Sequence, residues 1–206
     1  MQESSLEQAK GKVGSVSGRT GWRTIARRIR VPAGFAFAAL FLWLAHPNGR
    51  TVALSLLLVL PGVWLRGYAS GYVKKDAELT TTGPYAHTRN PLYLGSILIA
   101  FGFAVAAASW LIMALLAALF AAIYIPTILS EEAYLCEHFA GYEEYARMVP
   151  RLLPRGSGTV RKLDGVEAAD GGFSIELYLR HREYNSAMGA GAIYLALALK
   201  LLLLSR

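Results

Sequence analysis

The chain has 206 residues, 54% of them hydrophobic and only 17% charged, with a formal net charge of +7. That balance is too apolar for an ordinary soluble domain of this size, and the length allows one domain or two small ones. The cations sit in blocks beside apolar runs, with no basic-aromatic groove, which argues against a nucleic-acid partner.

Residues 1–20 are rich in Gly, Ser and Lys and read as a mobile arm. "GWRTIARRIRVP" follows as a basic amphipathic approach to a membrane, with Trp22 at interfacial depth. Apolar runs then appear near 31–46, 51–68, 92–108, 110–129 and 187–204. A bilayer core of ~30 Å needs about 20 helical residues, so these runs predict an all-α polytopic membrane protein with five transmembrane helices. The first run is the shortest and can alternatively be buried or re-entrant. It begins too far into the chain for a cleaved signal peptide and reads as a retained anchor.

The charges orient the bundle. Lys10, Lys12, Arg19, Arg23, Arg27, Arg28 and Arg30 precede the first run. Lys74, Lys75 and Arg89 lie between the second and third. Arg147, Arg151, Arg155, Arg161, Lys162, Arg180 and Arg182 lie between the fourth and fifth. The opposite side carries only Arg50 and Arg206. By the positive-inside rule the chain lies in the inner (plasma) membrane with its N-terminus in the cytoplasm. The same cations attract anionic membrane lipids.

The first run ends at "HPNG", a turn signal. The second contains Pro61-Gly62, a kink that a membrane helix tolerates. "SGYVKKDAELTTTGPYAHTRN" is then a cytoplasmic loop. Residues 92–129 would make a straight helix of ~57 Å, nearly twice the bilayer core, so the segment must fold back. "AAASW", near Ser109, is the predicted reversal. Gly95, Gly102 and Ala106 on one arm, and Ala114, Ala117, Ala118, Ala121 and Ala122 on the other, are small residues that let helices approach. "EEAYLCEHFAGYEEYARMVPRLLP" is amphipathic, with Tyr134, Leu135, Phe139, Tyr142 and Tyr145 three to four apart. "RGSGTVRKLDGVEAADGG" reads as flexible, "FSIELYLRHREYNS" as interfacial, and Lys200 as snorkelling to the far headgroups. The predicted organisation is an arm (1–30), a membrane core (31–154), a flexible loop (155–172), and an interfacial segment with the last helix (173–206).

Asn90-Pro91 reads as a helix start, a favourable place for an anion. Because the apolar segment crosses and returns, Arg89 and Asn90 share a membrane face with Glu131 and Glu132. Pro126 loosens the backbone just beneath. A cationic mouth beside a carboxylate pair suits a zwitterion such as S-adenosylmethionine, with Tyr85 and Tyr93 available to pack on the adenine or sulfonium. Read by themselves, a solvated glutamate face and a headgroup-binding arginine remain alternatives. His46, His87, His138 and His181 are far apart and lack metal-ligand spacing, so no metal is expected. Cys136, the single cysteine, shares a helix face with Glu132 and reads as a packing residue.

"GPYAHTRNPLYLGS", a hydrophobic hairpin, and then "EEAYLCEHFAGYEEYARMVPRLLP" resemble the integral-membrane methyltransferases related to isoprenylcysteine carboxyl methyltransferase and phospholipid N-methyltransferase. Gly83, Pro84, Tyr85, Arg89, Pro91, Tyr93 and Gly95 match the first motif. Glu131, Glu132, Leu135, Phe139, Tyr142, Tyr145, Val149, Pro150 and Pro154 match the second. The resemblance spans about residues 64–154. It implies a cytoplasmic-face pocket for S-adenosylmethionine built from Tyr85, Arg89, Asn90, Pro91, Tyr93, Leu94, Gly95, Glu131 and Glu132. Arg89 and Glu132 would be the catalytic pair, and a lipophilic acceptor would enter from the bilayer. The chain departs from the pattern twice: Asn90 replaces the usual histidine, and Phe139-Ala140-Gly141 carries one inserted residue.

Methyl transfer from a sulfonium needs alignment and exclusion of water. A carboxylate acceptor needs no base, whereas an amine must lose a proton, which Glu131 or Glu132 can accept. Arg151 is a second candidate for an acidic group. Two other readings stand beside this one: a nicotinamide-dependent membrane reductase of the sterol or steroid type, and a non-catalytic membrane partner.

Overall fold

The structure, a computed structural model, describes residues 37–74, 78–154 and 172–204. The N-terminal arm and most of the 155–172 loop lie outside the described residues, as do Trp22 and the start of the first apolar run. Contacts divide the chain into Met1–Trp43 and Leu44–Arg206. In the first unit, residues 37–43 are helical.

The second unit is helical throughout its regular parts, with no strand among the described residues. Its elements are α1 (Gly49–Ser70), a 3-10 turn (Gly83–Ala86), α2 (Pro91–Ala107), α3 (Trp110–His138), α4 (Tyr142–Met148), α5 (Ile175–Arg180) and α6 (Tyr184–Leu204). Three described helices, α1, α3 and α6, are long and apolar enough to cross a membrane, and α2 is a shorter apolar helix. The all-α polytopic class holds.

The "HPNG" turn is a capping box. Asn48 Oδ1 accepts from the amides of Arg50 and Thr51, and Thr51 Oγ1 accepts from the amide of Asn48. These bonds satisfy donors that the start of α1 would otherwise leave unpaired. α1 then runs antiparallel to α2, its most extensive neighbour. The two backbones nearly touch: a Cβ on Gly95 would lie 2.8 Å from the Gly62 carbonyl oxygen and 2.6 Å from Arg66 Cγ, and one on Gly102 would lie 2.5 Å from Val59. The glycines predicted to tighten the α2–α3 hairpin therefore seat α2 on α1. The alanines of α3 at 114, 117, 118, 121 and 122 are exposed.

The reversal falls where the sequence placed it. α2 ends at Ala107, Ala108 takes a left-handed conformation with φ 51°, and Ser109 Oγ accepts from the Ile112 amide to start α3. The 29 residues of α3 span ~43 Å, more than a bilayer core. The helix continues without a break past Glu131 and Glu132 to His138, well beyond the apolar run predicted at 110–129. Pro126 lies inside this continuous helix, and Thr127 Oγ1 donates to the Ile123 carbonyl in the same turn.

Past His138 the chain folds back. Gly141, at φ 88°, supplies a left-handed step that a β-carbon would strain, and α4 starts there. The inserted residue is absorbed in this turn, and Tyr142 and Tyr145 both end up buried, in a cluster with Leu79 and Val149. Leu135 and Phe139 pack on that cluster, whereas Tyr134 faces outward and stacks on His138.

α6 lies antiparallel to α1. Glu183 meets Arg66 at one end, Tyr194 bonds Ser55 near the middle at 2.8 Å, and Lys200 Nζ donates to the Ala45 carbonyl at the other. Lys200 thus makes a protein contact where snorkelling was expected. α5 docks α6 onto the end of α1, with the Ser174 amide bonded to the Gly71 carbonyl at 2.9 Å and the Phe173 ring laid against Gly71.

Candidate functional site

One end of the bundle gathers the end of α1, the Gly83–Ala86 turn, the first turns of α2, the last turns of α3, α4 and the residue before α6. Between them lies a cavity of about 380 Å³, within the usual range for small-molecule sites, roughly 300–1,000 Å³. Tyr85, Arg89, Asn90, Pro91, Tyr93, Glu131 and Glu132 all line it. Leu94 and Gly95 do not. Leu94 faces a second cavity on the far side of the turn, beside Trp64 and Pro84, and Gly95 is sealed against α1. The helical period explains the split: Tyr93 points to the cavity, and its two successors are rotated away by about 100° each.

Arg89 is held between α3 and α4. Its Nη1 is 3.2 Å from Glu132 Oε1 and donates to Tyr142 Oη at 3.4 Å, and the side chain is 12% exposed. Among the described residues, its Nε is the buried side-chain polar atom without a hydrogen-bond partner. Leaving such a donor unmade costs about 1–3 kcal/mol.

Glu132 also binds Arg151, with Nη2 at 2.8 Å and Nε at 3.0 Å. Both carboxylate oxygens are thus filled by guanidinium N–H groups, and Glu132 is the centre of an ion-pair bridge. Glu131 differs. Tyr93 Oη donates to its Oε2 at 2.8 Å, and Glu131 has no cationic partner among the described residues. The Tyr93 ring meets Tyr124 edge-on, and Tyr124 stacks on Phe120, so an aromatic wall runs from Glu131 down into the membrane helices.

Asn90 occupies the position before α2 but makes no capping bond, contrary to the sequence reading. Its Nδ2 donates instead to the Arg151 carbonyl at 2.9 Å.

Burial governs the tyrosines outside the membrane helices. It pushes the Tyr85 hydroxyl well above the ordinary phenol range, and the nearby Glu131 and Glu183 carboxylates add to the effect. Burial does the same to Tyr145, whose Oη donates to the Tyr85 carbonyl at 2.7 Å. Burial also raises Tyr142, although Arg89 opposes the shift.

The sequence reading missed a second ion pair on the cavity wall. Arg66 Nη2 lies 2.8 Å from Glu183 Oε1, and its Nε donates to Glu183 Oε2 at 3.0 Å and to Ser186 Oγ at 3.1 Å. Its Nη1 donates to Ser96 Oγ and to the Leu92 carbonyl. Every arm of the guanidinium is used, tying α1 to α2 and α6. The signal was present: Arg66 is a lone cation at the end of an otherwise apolar run, and such residues need a partner. Lys74 and Glu78, 3.0 Å apart, also line the cavity. No group of three metal-ligating side chains occurs among the described residues.

Residues 50–141 match the family described as phospholipid methyltransferase. The chain is 38% identical over 93 residues to the nickel-cobalt-cadmium resistance protein NccN of Alcaligenes xylosoxydans xylosoxydans, covering 45% of this chain and 43% of that protein. It is 34% identical over 135 residues to the cobalt-zinc-cadmium resistance protein CzcN of Cupriavidus metallidurans, covering 61% of this chain and 62% of that protein. The chain therefore spans about half the length of these curated relatives. No solved structure matches it significantly. The matched region supplies α1, the Gly83–Ala86 turn, α2 and α3, which carry much of the cavity wall, and over this region the chain is similar to the phospholipid methyltransferase family.

Proposed function

We propose that the chain is an integral-membrane methyltransferase that uses S-adenosylmethionine and acts on a lipophilic acceptor, with its cavity at the cytoplasmic face. The observation that carries this reading is the pair of unspent groups on the cavity wall. Among the described residues, Arg89 Nε is a buried donor without an acceptor, and the exposed Glu131 carboxylate has no cationic partner. The other charged groups of the wall are paired: Arg66 with Glu183, Lys74 with Glu78, and Arg89 Nη1 with Glu132. A zwitterionic ligand complements that pattern, its carboxylate meeting Arg89 and its ammonium meeting Glu131.

S-adenosylmethionine, when bound, supplies a methyl group on a sulfonium, an electrophile that requires alignment more than activation. The chain's own contribution is to orient and to exclude water. Tyr85, Tyr93 and Tyr124 offer apolar faces that favour a cation. Glu132 keeps Arg89 in place. Glu132, bridged between two guanidinium groups, is a poor base for an amine acceptor. Leu92, Ser96 and Tyr124 line the side of the cavity nearest the membrane helices, which supports lateral entry of the acceptor.

Both relatives are named for metal resistance, and we infer a matching role for this chain. Methylation of an amine to the quaternary state removes a nitrogen lone pair that would ligate nickel, cobalt or zinc.

The test is thermal stabilisation of the detergent-solubilised protein by S-adenosylhomocysteine and, separately, by NADPH. Stabilisation by the first alone supports the reading. Stabilisation by NADPH alone favours a reductase, and by neither a non-catalytic partner. Transfer of a labelled methyl group to a membrane lipid extract then identifies the acceptor. Growth of a deletion strain on nickel or cobalt tests the physiological role.

A further inference from the structure

Asn90 stands where the resembled motif carries a histidine, and its surroundings define what is needed there. The residue is 9% exposed. Three consecutive residues, Thr88, Arg89 and Asn90, are stitched to residues 150–152. Thr88 Oγ1 donates to the Leu152 carbonyl at 2.9 Å, the Arg89 amide to the Pro150 carbonyl at 3.0 Å, and Asn90 Nδ2 to the Arg151 carbonyl at 2.9 Å. Arg151 returns through its guanidinium to Glu132, and Glu132 holds Arg89. The circuit Asn90–Arg151–Glu132–Arg89 closes because Arg89 and Asn90 are neighbours in sequence. Arg89 Nη1 is committed to Glu132, while Nε is buried and has no hydrogen-bond partner.

We propose that Asn90 is a positioning residue that fixes Arg89 by donating one neutral N–H to the Arg151 carbonyl, and that no proton passes through position 90 in the reaction. This rests on the cofactor reading above. An imidazole N–H can serve the same carbonyl. A carboxylate of the same shape as Asn cannot, because it would set two acceptors against each other.

The test is the affinity for S-adenosylhomocysteine, measured by calorimetry, together with the steady-state kinetics of methyl transfer. The proteins are the wild type, Asn90→Asp, Asn90→His, Arg89→Ala and the Asn90→Asp/Arg89→Ala pair. Asn90→Asp is expected to bind about tenfold more weakly, the worth of one well-placed buried hydrogen bond. Its loss should fall on KM for the methyl donor, with kcat at saturation little changed. Asn90→His should restore binding, and Asn90→Asp should add little once Arg89 is already replaced. Wild-type affinity in Asn90→Asp, no rescue by Asn90→His, or an undiminished effect in the Arg89→Ala background would each overturn the proposal. Should Asn90→Asp not fold, Asn90→His alone decides: retained binding and turnover support the donor role, and their loss refutes it. A wild-type protein that fails to bind S-adenosylhomocysteine sinks the cofactor reading itself, an outcome distinct from all of these.

Discussion

Replacing Glu132 by Gln removes a buried and an exposed ion pair together, and Arg151→Ala removes the exposed one alone. Arg89, 12% exposed, sits 3.2 Å from one oxygen, and Arg151, 52% exposed, sits 2.8 Å from the other. At an effective dielectric constant of about 20, the Arg89 attraction is ~5 kcal/mol before desolvation is subtracted. Removing one partner of such a pair costs about 3–5 kcal/mol, because the remaining charge is buried without compensation. The amide introduced by Glu132→Gln keeps one neutral acceptor, worth ~1 kcal/mol, which leaves a loss of about 2–4 kcal/mol. Arg151→Ala removes the half-exposed pair and should cost at most ~1 kcal/mol, even though its distance is the shorter. For a chain of this size 1 kcal/mol moves the melting temperature by ~2–4 °C, so Glu132→Gln should lower it by roughly 5–15 °C and Arg151→Ala by no more than about 4 °C. Thermal unfolding in one detergent at one protein concentration measures both. Equal shifts, or no shift in Glu132→Gln, would show that burial does not set the strength of this bridge.

Three further outcomes follow from the packing and the titrations. Gly95→Val drives a branched side chain into the Gly62 carbonyl and Arg66, and should cost about 1–3 kcal/mol or prevent assembly, as read by size-exclusion chromatography in detergent. Glu183→Gln should weaken the attachment of α6 to α1, seen as faster proteolysis after Phe173 and slower methyl transfer, with Arg66→Gln giving the same phenotype. Tyr85 and Tyr145 have folded-state pKa values above the ordinary ~10, so the folded state holds its protons more tightly and stability is lost as pH rises past about 10. Tyr145→Phe should flatten that alkaline loss in denaturant titrations, while costing ~1–2 kcal/mol at neutral pH through the lost bond to the Tyr85 carbonyl.

The sequence by itself determined the class of molecule, because a bilayer imposes a length on apolar helices that composition and run length reveal directly. It also determined the hairpin. Residues 92–129 are too long to cross once, and only the Ala/Ser step near Ser109 interrupts them, so Arg89 and Glu131 had to meet at one end. Tertiary structure decided how the meeting works. Sequence distance could not tell Glu131 from Glu132, since adjacent helical residues differ by about 100° in direction, and that rotation sends one carboxylate to Tyr93 and the other into a bridge between two arginines. Nor could it show that Asn90 turns from capping to hold the Arg151 carbonyl, or that Arg66 and Glu183, 117 positions apart, share the cavity wall. Those facts depend on which side chains reach one another after the helices pack, and the glycine contacts between α1 and α2 set that distance.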